Sequence, residues 1–254
     1  MSENHFVQFA ISLAQKAGLY LMENFGDVHP HSEKESFHSI VTSHDIAVEK
    51  LIMDSIKRTY PSHGILSEES GATIGESDYL WVIDPLDGSS YFARGLPNFS
   101  VAIALLYKNE VILGVIDNPV YKETFYATKR GGAFLNKQPI KVSDTPTLSS
   151  AIINFGHRYL RLPMYQPFSG ELLKAVRSIH GGGSCAQELC QIACGRTDGL
   201  ITVNQSPWDF LSGKIILEEA GGKLKKLNGT EISIEDTLKM KTDIVASNGK
   251  LAFE

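Results

Sequence analysis

Apolar residues Phe6, Phe9, Leu13, Ala17, Leu21 and Met22 recur at helical spacing between His5 and Phe25, and Gly26-Asp27 ends the pattern. This predicts an amphipathic first helix. The polar segment His29 to Ser39 has no periodicity and reads as a loop up to Ile40-Val41-Thr42. Ile46 to Tyr60 then reads as a second helix closed by Pro61. Short apolar runs follow at Tyr79–Ile83, Ser100–Tyr107, Val111–Asp117 and Thr124–Thr128, with Lys108-Asn109 and Asn118-Pro119 as turns, which predicts an antiparallel sheet. Beyond the Gly131-Gly132 turn and the breaks at Pro139 and Pro146 the pattern changes. Strands are expected at Ala151–Phe155, Gly199–Val203 and Asp243–Ala246, with helices at Gly170–Ile179, Gln187–Cys194 and Phe210–Ala220. The chain thus reads as an α/β protein with a boundary near Ser143–Ser150, dividing an α+β subdomain (1–146) from an α/β subdomain (147–254). No internal repeat or low-complexity tract is present.

Composition narrows the function. With 254 residues, 43% of them hydrophobic, the chain can bury a sizeable core. Its 24 basic and 29 acidic residues give a net charge of −5, and no basic run is interleaved with aromatics, which argues against nucleic-acid binding. Cys185, Cys190 and Cys194 are an odd set without a CxxC pattern, which argues against a disulfide framework or a zinc site and fits free thiols in a reducing cytoplasm. The chain starts without a basic stretch followed by an apolar block and has no apolar run of membrane-spanning length, so a soluble, cytoplasmic protein is expected, with no membrane partner.

The chemistry concentrates in Trp81-Val82-Ile83-Asp84-Pro85-Leu86-Asp87-Gly88-Ser89-Ser90. Here a buried strand runs into two carboxylates, a glycine and two hydroxyls. A turn at the strand end can face Asp84 and Asp87 to one point with the Leu86 carbonyl between them, a set of hard oxygen ligands suited to Mg²⁺. Gly88 allows close backbone approach, and a helical turn opening at Ser89-Ser90-Tyr91 would offer its N–H groups to a phosphate oxygen. In isolation these residues have structural uses, as turn punctuation at Asp84-Pro85 and Asp87-Gly88 and as a helix cap at Ser89. The Asp-x-x-Asp spacing differs from the Asp-x-Asp pair of haloacid-dehalogenase phosphatases, which favours attack by metal-activated water over an aspartyl-phosphate.

The chain resembles the inositol monophosphatase family. The first signature of that family, W-[VI]-[IV]-D-P-[LI]-D-G-[TS]-x-x-F, stands here as Trp81 to Phe92, and a second, W-D-x-x-[AS]-G-x-x-[IL]-x-x-E-A-G-G, as Trp208 to Gly222. The G-E-E-S element appears as Ser67-Glu68-Glu69-Ser70 and V-T-x-x-D as Val41 to Asp45, all in the family's order. The resemblance implies alternating helix and sheet layers of the inositol monophosphatase/fructose-1,6-bisphosphatase type. It implies that Glu68, Asp84, the Leu86 carbonyl, Asp87 and Asp209 bind a cluster of two or three Mg²⁺ ions. Catalysis would fall to Asp45, Glu68 and Ser89, with Ser89 and Asp45 orienting the attacking water, and phosphate binding to Gly88, Ser89 and Ser90. The implied substrate is a small phosphorylated metabolite, the implied assembly a homodimer, and sensitivity to Li⁺ is expected.

Bland readings stand beside these. Thr42 to Asp45 also fits a capping box, Asp209 could cap a helix starting at Phe210, and Glu68-Glu69 could be solvated loop charge. Lys34 aligns with a family lysine near a weakly held metal, and His157, Arg158, Arg161 and His180 stand either on the substrate side or on the surface. Three positions depart from the pattern. Ser89 replaces the usual Thr, Tyr91 replaces a frequent Asn, and Thr202 falls where an inositol-contacting glutamate is expected. Cys185 and Thr202 are therefore the candidate specificity positions. The Lys-Glu pair of nucleotide bisphosphatases is absent after Asp87-Gly88-Ser89. Fructose-1,6-bisphosphate, NADP, 3'-nucleotide bisphosphate and histidinol phosphate remain alternative substrates, and a non-catalytic phosphate-binding regulator is the alternative of a different class.

Overall fold

The computed structural model describes residues 3–26, 32–33, 40–41, 43–156 and 166–253. Helix α1 (Glu3–Glu23) precedes two short paired strands, β1 (Ser32–Glu33) and β2 (Ile40–Val41), and helix α2 (Ser43–Thr59). Strands β3 (Gly64–Ser67), β4 (Gly71–Thr73) and β5 (Tyr79–Asp87) lead to a single helical turn, α3 (Ser89–Phe92). Then come β6 (Ser100–Tyr107), β7 (Glu110–Asn118), β8 (Glu123–Thr128), β9 (Gly132–Leu135) and β10 (Gln138–Pro139). The remainder alternates: β11 (Ile152–Phe155), α4 (Gln166–Ala175), β12 (Ser178–His180), α5 (Cys185–Ala193), β13 (Gly199–Gln205), α6 (Pro207–Glu219), β14 (Lys223–Lys226), α7 (Ile234–Thr237) and β15 (Thr242–Ser247).

An eight-stranded sheet has the order β10-β9-β8-β7-β6-β5-β3-β4, antiparallel except for the β3–β5 pair. A five-stranded mixed sheet has the order β12-β11-β13-β15-β14. Strand alternation sorts the larger sheet's side chains into two cores. Trp81, Ile83, Val101, Ile103 and Leu105 pack against Ala10, Leu13, Ala17, Val48, Ile52 and Ile56 of α1 and α2. Val82, Ala102, Ala104 and Leu106 face the other way, onto Leu189, Phe210, Leu211 and Ile215 of α5 and α6. Small residues bring α6 close, and a Cβ at Gly114 of β7 would overlap the Ser212 carbonyl. The same core reaches Leu200, Leu224, Ile244 and Ala246 of the smaller sheet, whose far face packs Ile153, Phe155, Ile201 and Val203 with Leu172 of α4. Helix and sheet layers therefore alternate, as the resemblance implied.

Three expectations change. β5 runs on to Asp87 rather than stopping at Ile83, because it keeps pairing with β6 through a register shift between Asp84 and Asp87. The helix expected at Gly170–Ile179 lies at Gln166–Ala175, and Ile179 belongs to edge strand β12, paired with Ile153. The last long helix starts at Pro207 rather than Phe210, with Ser206 as its cap.

Candidate active site

Parallel pairing of β3 with β5 sets Ser67 beside Ile83, so Glu68, the first residue past β3, comes level with Asp84 of β5. The three steps of β5 from Asp84 to Asp87 span the two steps of β6 from Ala102 to Ser100. The extra residue is a β-bulge, the device by which a strand re-aims side chains at its end. Pro85 suits it, having no N–H to lose from the ladder. The Leu86 N–H donates to Asp84 Oδ1 at 3.0 Å and fixes that carboxylate, which is only 1% exposed. Gly88 takes φ 95°, turning the chain into α3. Ser89 Oγ then lies 2.9 Å from Asp45 Oδ1, in the first turn of α2, and 3.0 Å from the Leu86 carbonyl oxygen. Its single proton has two acceptors in reach.

The second half of the chain completes the site. Asp87 Oδ2 accepts from Ser184 Oγ at 2.6 Å and from the Ala186 N–H at 2.8 Å, at the start of α5. Ser184 caps that helix. Asp209 is the third residue of α6, and its Oδ2 accepts the Ser206 N–H at 2.7 Å. Asp209 thus does complete a helix cap, and it also borders the cavity. That cavity, of about 240 Å³, is bordered by the carboxylates of Glu68, Asp84, Asp87, Glu188 and Asp209, and no Lys or Arg is among the described residues lining it.

So much negative charge with little water shifts the acids upward. Asp84 is raised well above the usual carboxylate range by burial and then by Glu68, Asp87 and Asp209. Asp87 is pushed up to about 7 by burial, although its bonds from Ser184 and Ala186 pull the other way. Burial also raises Glu188 to about 7, against the pull of the Gly182 and Gly183 N–H groups. Among the described residues no three acidic, histidine or cysteine side chains already converge tightly enough to hold one ion. Asp84, Asp87, Glu188 and Asp209 are each tied to their own wall by a backbone N–H and stand around the cavity.

Acids raised in the folded state hold protons that the unfolded chain has released above about pH 4. Metal-free protein should therefore lose stability as pH rises from about 4 through the Asp87 and Glu188 values of about 7. Surface acids Asp54, Glu110 and Asp144 are lowered by bonds from Lys50, Lys129 and Lys250 and act oppositely, but they are exposed and screened. Thermal melts in chelator should give a lower Tm at about pH 8 than at about pH 5.5, with a flatter profile for Asp87→Asn. A rising profile in the parent contradicts this electrostatic account.

The profile of the inositol monophosphatase family matches residues 2–254. The chain belongs to the inositol monophosphatase family. A Thermotoga maritima relative named fructose-1,6-bisphosphatase/inositol-1-monophosphatase is 36% identical over 252 residues, covering 98% of this chain and 93% of the relative. Escherichia coli (strain K12) Nus factor SuhB is 35% identical over 229 residues, covering 88% of this chain and 85% of that protein. The solved Thermotoga maritima IMPase superposes with TM-score 0.86 at 34% identity, covering 96% of this chain and 92% of the other.

Of the residues singled out from the inositol monophosphatase signatures, Glu68, Asp84, Leu86, Asp87 and Asp209 all border the one cavity. Gly88, Ser89, Ser90, Cys185 and Thr202 border it too, while Asp45 reaches it through Ser89. Gly88, not Ser89, occupies the cap position of α3. Cys185 opens α5, and burial and the surrounding acids Asp87, Asp209, Glu188 and Asp84 push its thiol well above its usual range, so it stays protonated. Thr202 is buried and its Oγ1 accepts from Gln205 Nε2 at 3.1 Å. His180 bonds Asn154 Oδ1 through Nδ1 at 2.9 Å and faces a smaller adjoining cavity. Lys34, Thr42, His157, Arg158 and Arg161 lie outside the described residues.

Sequence reading missed Ser184, Glu188 and the Gly181–Gly183 loop. The available signal was Gly181-Gly182-Gly183-Ser184 directly before a helical pattern, with Glu188 the one acid on that helix.

Proposed function

We propose that this chain is a Mg²⁺-dependent phosphatase of small phosphomonoesters, with inositol monophosphate the first-ranked substrate. The observation that carries the reading is the set of carboxylates around one cavity beside the Gly88-Ser89-Ser90 turn, with no Lys or Arg among the described lining residues. Crowded carboxylates repel one another, and divalent cations are the partners that oxygen donors of this kind suit.

In this reading Glu68, Asp84, the Leu86 carbonyl, Asp87 and Asp209 hold two or three Mg²⁺ ions. When bound, those ions neutralise the phosphate, lower the pKa of coordinated water and stabilise the leaving oxygen. The chain's own part is positioning. Ser89 Oγ, held by Asp45, orients the attacking water in line with phosphorus, and Asp45 fixes which way that hydroxyl points. The N–H groups of Ser89 and Ser90 begin a helical turn, have no partner inside it, and receive the phosphate oxygens together with Gly88. Asp87, tied to Ser184 and Ala186, couples this half of the site to α5.

The reading extends to a Li⁺-sensitive homodimer acting in the cytoplasm; among the described residues no helix is long and apolar enough to cross a membrane. Thr202 weakens specificity for inositol, since a hydroxyl donates to and accepts from a polyol but adds no charge. The Thermotoga maritima relative's name joins fructose-1,6-bisphosphatase with inositol-1-monophosphatase, so a sugar bisphosphate is the first alternative. The Nus factor name of the Escherichia coli relative supports a second reading, a regulatory protein that keeps the fold.

One experiment separates these readings. Phosphate release in chelator and at saturating Mg²⁺ is measured for inositol 1-phosphate, fructose 1,6-bisphosphate, a 3'-nucleotide bisphosphate, NADP and histidinol phosphate, in the parent and in Asp87→Asn. The expected result is a kcat/KM led by inositol 1-phosphate and a variant slower by roughly 10²–10³-fold. Equal, metal-independent background in both proteins rejects the enzymatic reading and favours the regulatory one.

A further inference from the structure

Glu188 is only 5% exposed and borders both the acidic cavity and the adjoining one of about 180 Å³. A carboxylate at that depth is tolerated only when hydrogen bonds compensate it. The Gly182 N–H donates to Glu188 Oε1 at 2.7 Å, and the Gly183 N–H beside it also favours the charged carboxylate. On the other side of the loop stands Tyr91. A Cβ at Gly183 would overlap the Tyr91 ring, and one at Gly182 would lie 3.1 Å from Glu188 Cγ. Gly183 also takes φ 78°, which side-chain-bearing residues avoid. The Gly181–Gly183 loop is thus held between a carboxylate and an aromatic ring.

The loop's leading end is anchored through His180, whose ring bonds Asn154 Oδ1. It leaves β12, a three-residue edge strand, exposed throughout and paired only with β11. At its trailing end it enters Ser184, whose hydroxyl donates to Asp87 at 2.6 Å. All three glycines border the acidic cavity, so a ligand there meets bare backbone. Backbone C=O groups without side chains can accept from the hydroxyls of a polyol, provided the loop is rigid.

We propose that Glu188 is a positioning residue that clamps Gly181–Gly183 as the wall against which the alcohol part of a polyhydroxylated phosphomonoester is seated. The proposal rests on the phosphatase reading, and it adds the residue that orders this wall.

The test compares parent, Glu188→Ala and the near-isosteric Glu188→Gln on inositol 1-phosphate and on methyl phosphate, which has almost no alcohol part to reach the wall. Amide hydrogen exchange across Gly181–Gly183 is read on the same proteins. Glu188→Ala should raise KM for inositol 1-phosphate by about tenfold or more, at least about five times the rise for methyl phosphate, because ordering costs fall on the ligand that uses the wall. Exchange across the loop should quicken about tenfold or more. Glu188→Gln, which retains an acceptor for one N–H, should recover at least half of both effects on a logarithmic scale. Equal losses on the two substrates reduce Glu188 to a structural role and overturn the proposal, as does unchanged exchange in Glu188→Ala. Faster exchange without phosphate release from the parent leaves the clamp standing and rejects the catalytic reading instead.

Discussion

Replacing Asp84 by asparagine is expected to lower Mg²⁺-dependent phosphate release by on the order of 10³-fold or more, while leaving the metal-free protein at least as stable as the parent. The two effects have one origin. Asp84 is buried, and Glu68, Asp87 and Asp209 all oppose its ionisation. Its charge is therefore a burden on the fold that a proton or a bound cation relieves. Asparagine keeps the oxygen that accepts the Leu86 N–H at 3.0 Å and removes the charge. At neutral pH the relief should raise the Tm of metal-free protein by about 2–4 °C per kcal/mol recovered. Added Mg²⁺ should then raise the Tm of the parent well above that of the variant, since binding to the folded state alone adds about 2.7 kcal/mol at a hundred times Kd. A variant that melts lower than the parent in chelator would show that Asp84 serves packing rather than cation binding.

The second large effect is expected at Gly88. The residue sits at φ 95°, and an added Cβ would lie 2.6 Å from the Asn98 carbonyl oxygen and 3.2 Å from Phe99 Cα, both backbone atoms. Backbone cannot yield as a side-chain tip can. Left-handed strain and overpacking together predict a cost of roughly 2–5 kcal/mol for Gly88→Ala, or on the order of 10 °C in Tm. Activity should fall even in the molecules that stay folded, because Gly88 joins the strand bearing Asp84 and Asp87 to the turn bearing Ser89 and Ser90. Melting curves and specific activity per folded molecule check the two parts separately. An alanine variant within about 1 °C of the parent would contradict the turn geometry.

What could be read from the sequence was local. Trp81 to Ser90 announced the site because strand, bulge, glycine and helical turn follow one another within a few residues. Even there, the strand's true end was hidden. Asp-Pro is ordinary turn punctuation, and only pairing with Ala102 and Ser100 shows that β5 continues through a bulge to Asp87. Apolar spacing misplaced α4 because Ile179 fits a helical face as well as it fits edge strand β12. Asp209 was legible either as a cap or as a ligand, and the structure gives it both the cap bond and a place on the cavity.

Contacts between distant segments were illegible. Asp87 and Ser184 are 97 residues apart, and no spacing rule joins them. Glu188 was masked by its neighbours Leu189, Ile192 and Ala193, which read as the buried face of a helix, while its partner is a backbone N–H in a glycine run. The parallel pairing of β3 with β5, which sets Glu68 beside Asp84, is likewise a property of the sheet and not of either segment.

Whether this acidic cavity binds Mg²⁺ in order to hydrolyse a phosphomonoester is decided by phosphate release from inositol 1-phosphate as Mg²⁺ is titrated into chelator-stripped protein, in the parent and in Asp84→Asn. Release should climb from background to saturation in the parent and stay at background in the variant. Release that is indifferent to chelator, or a parent that releases nothing from any phosphomonoester at any Mg²⁺ concentration, would contradict the phosphatase reading.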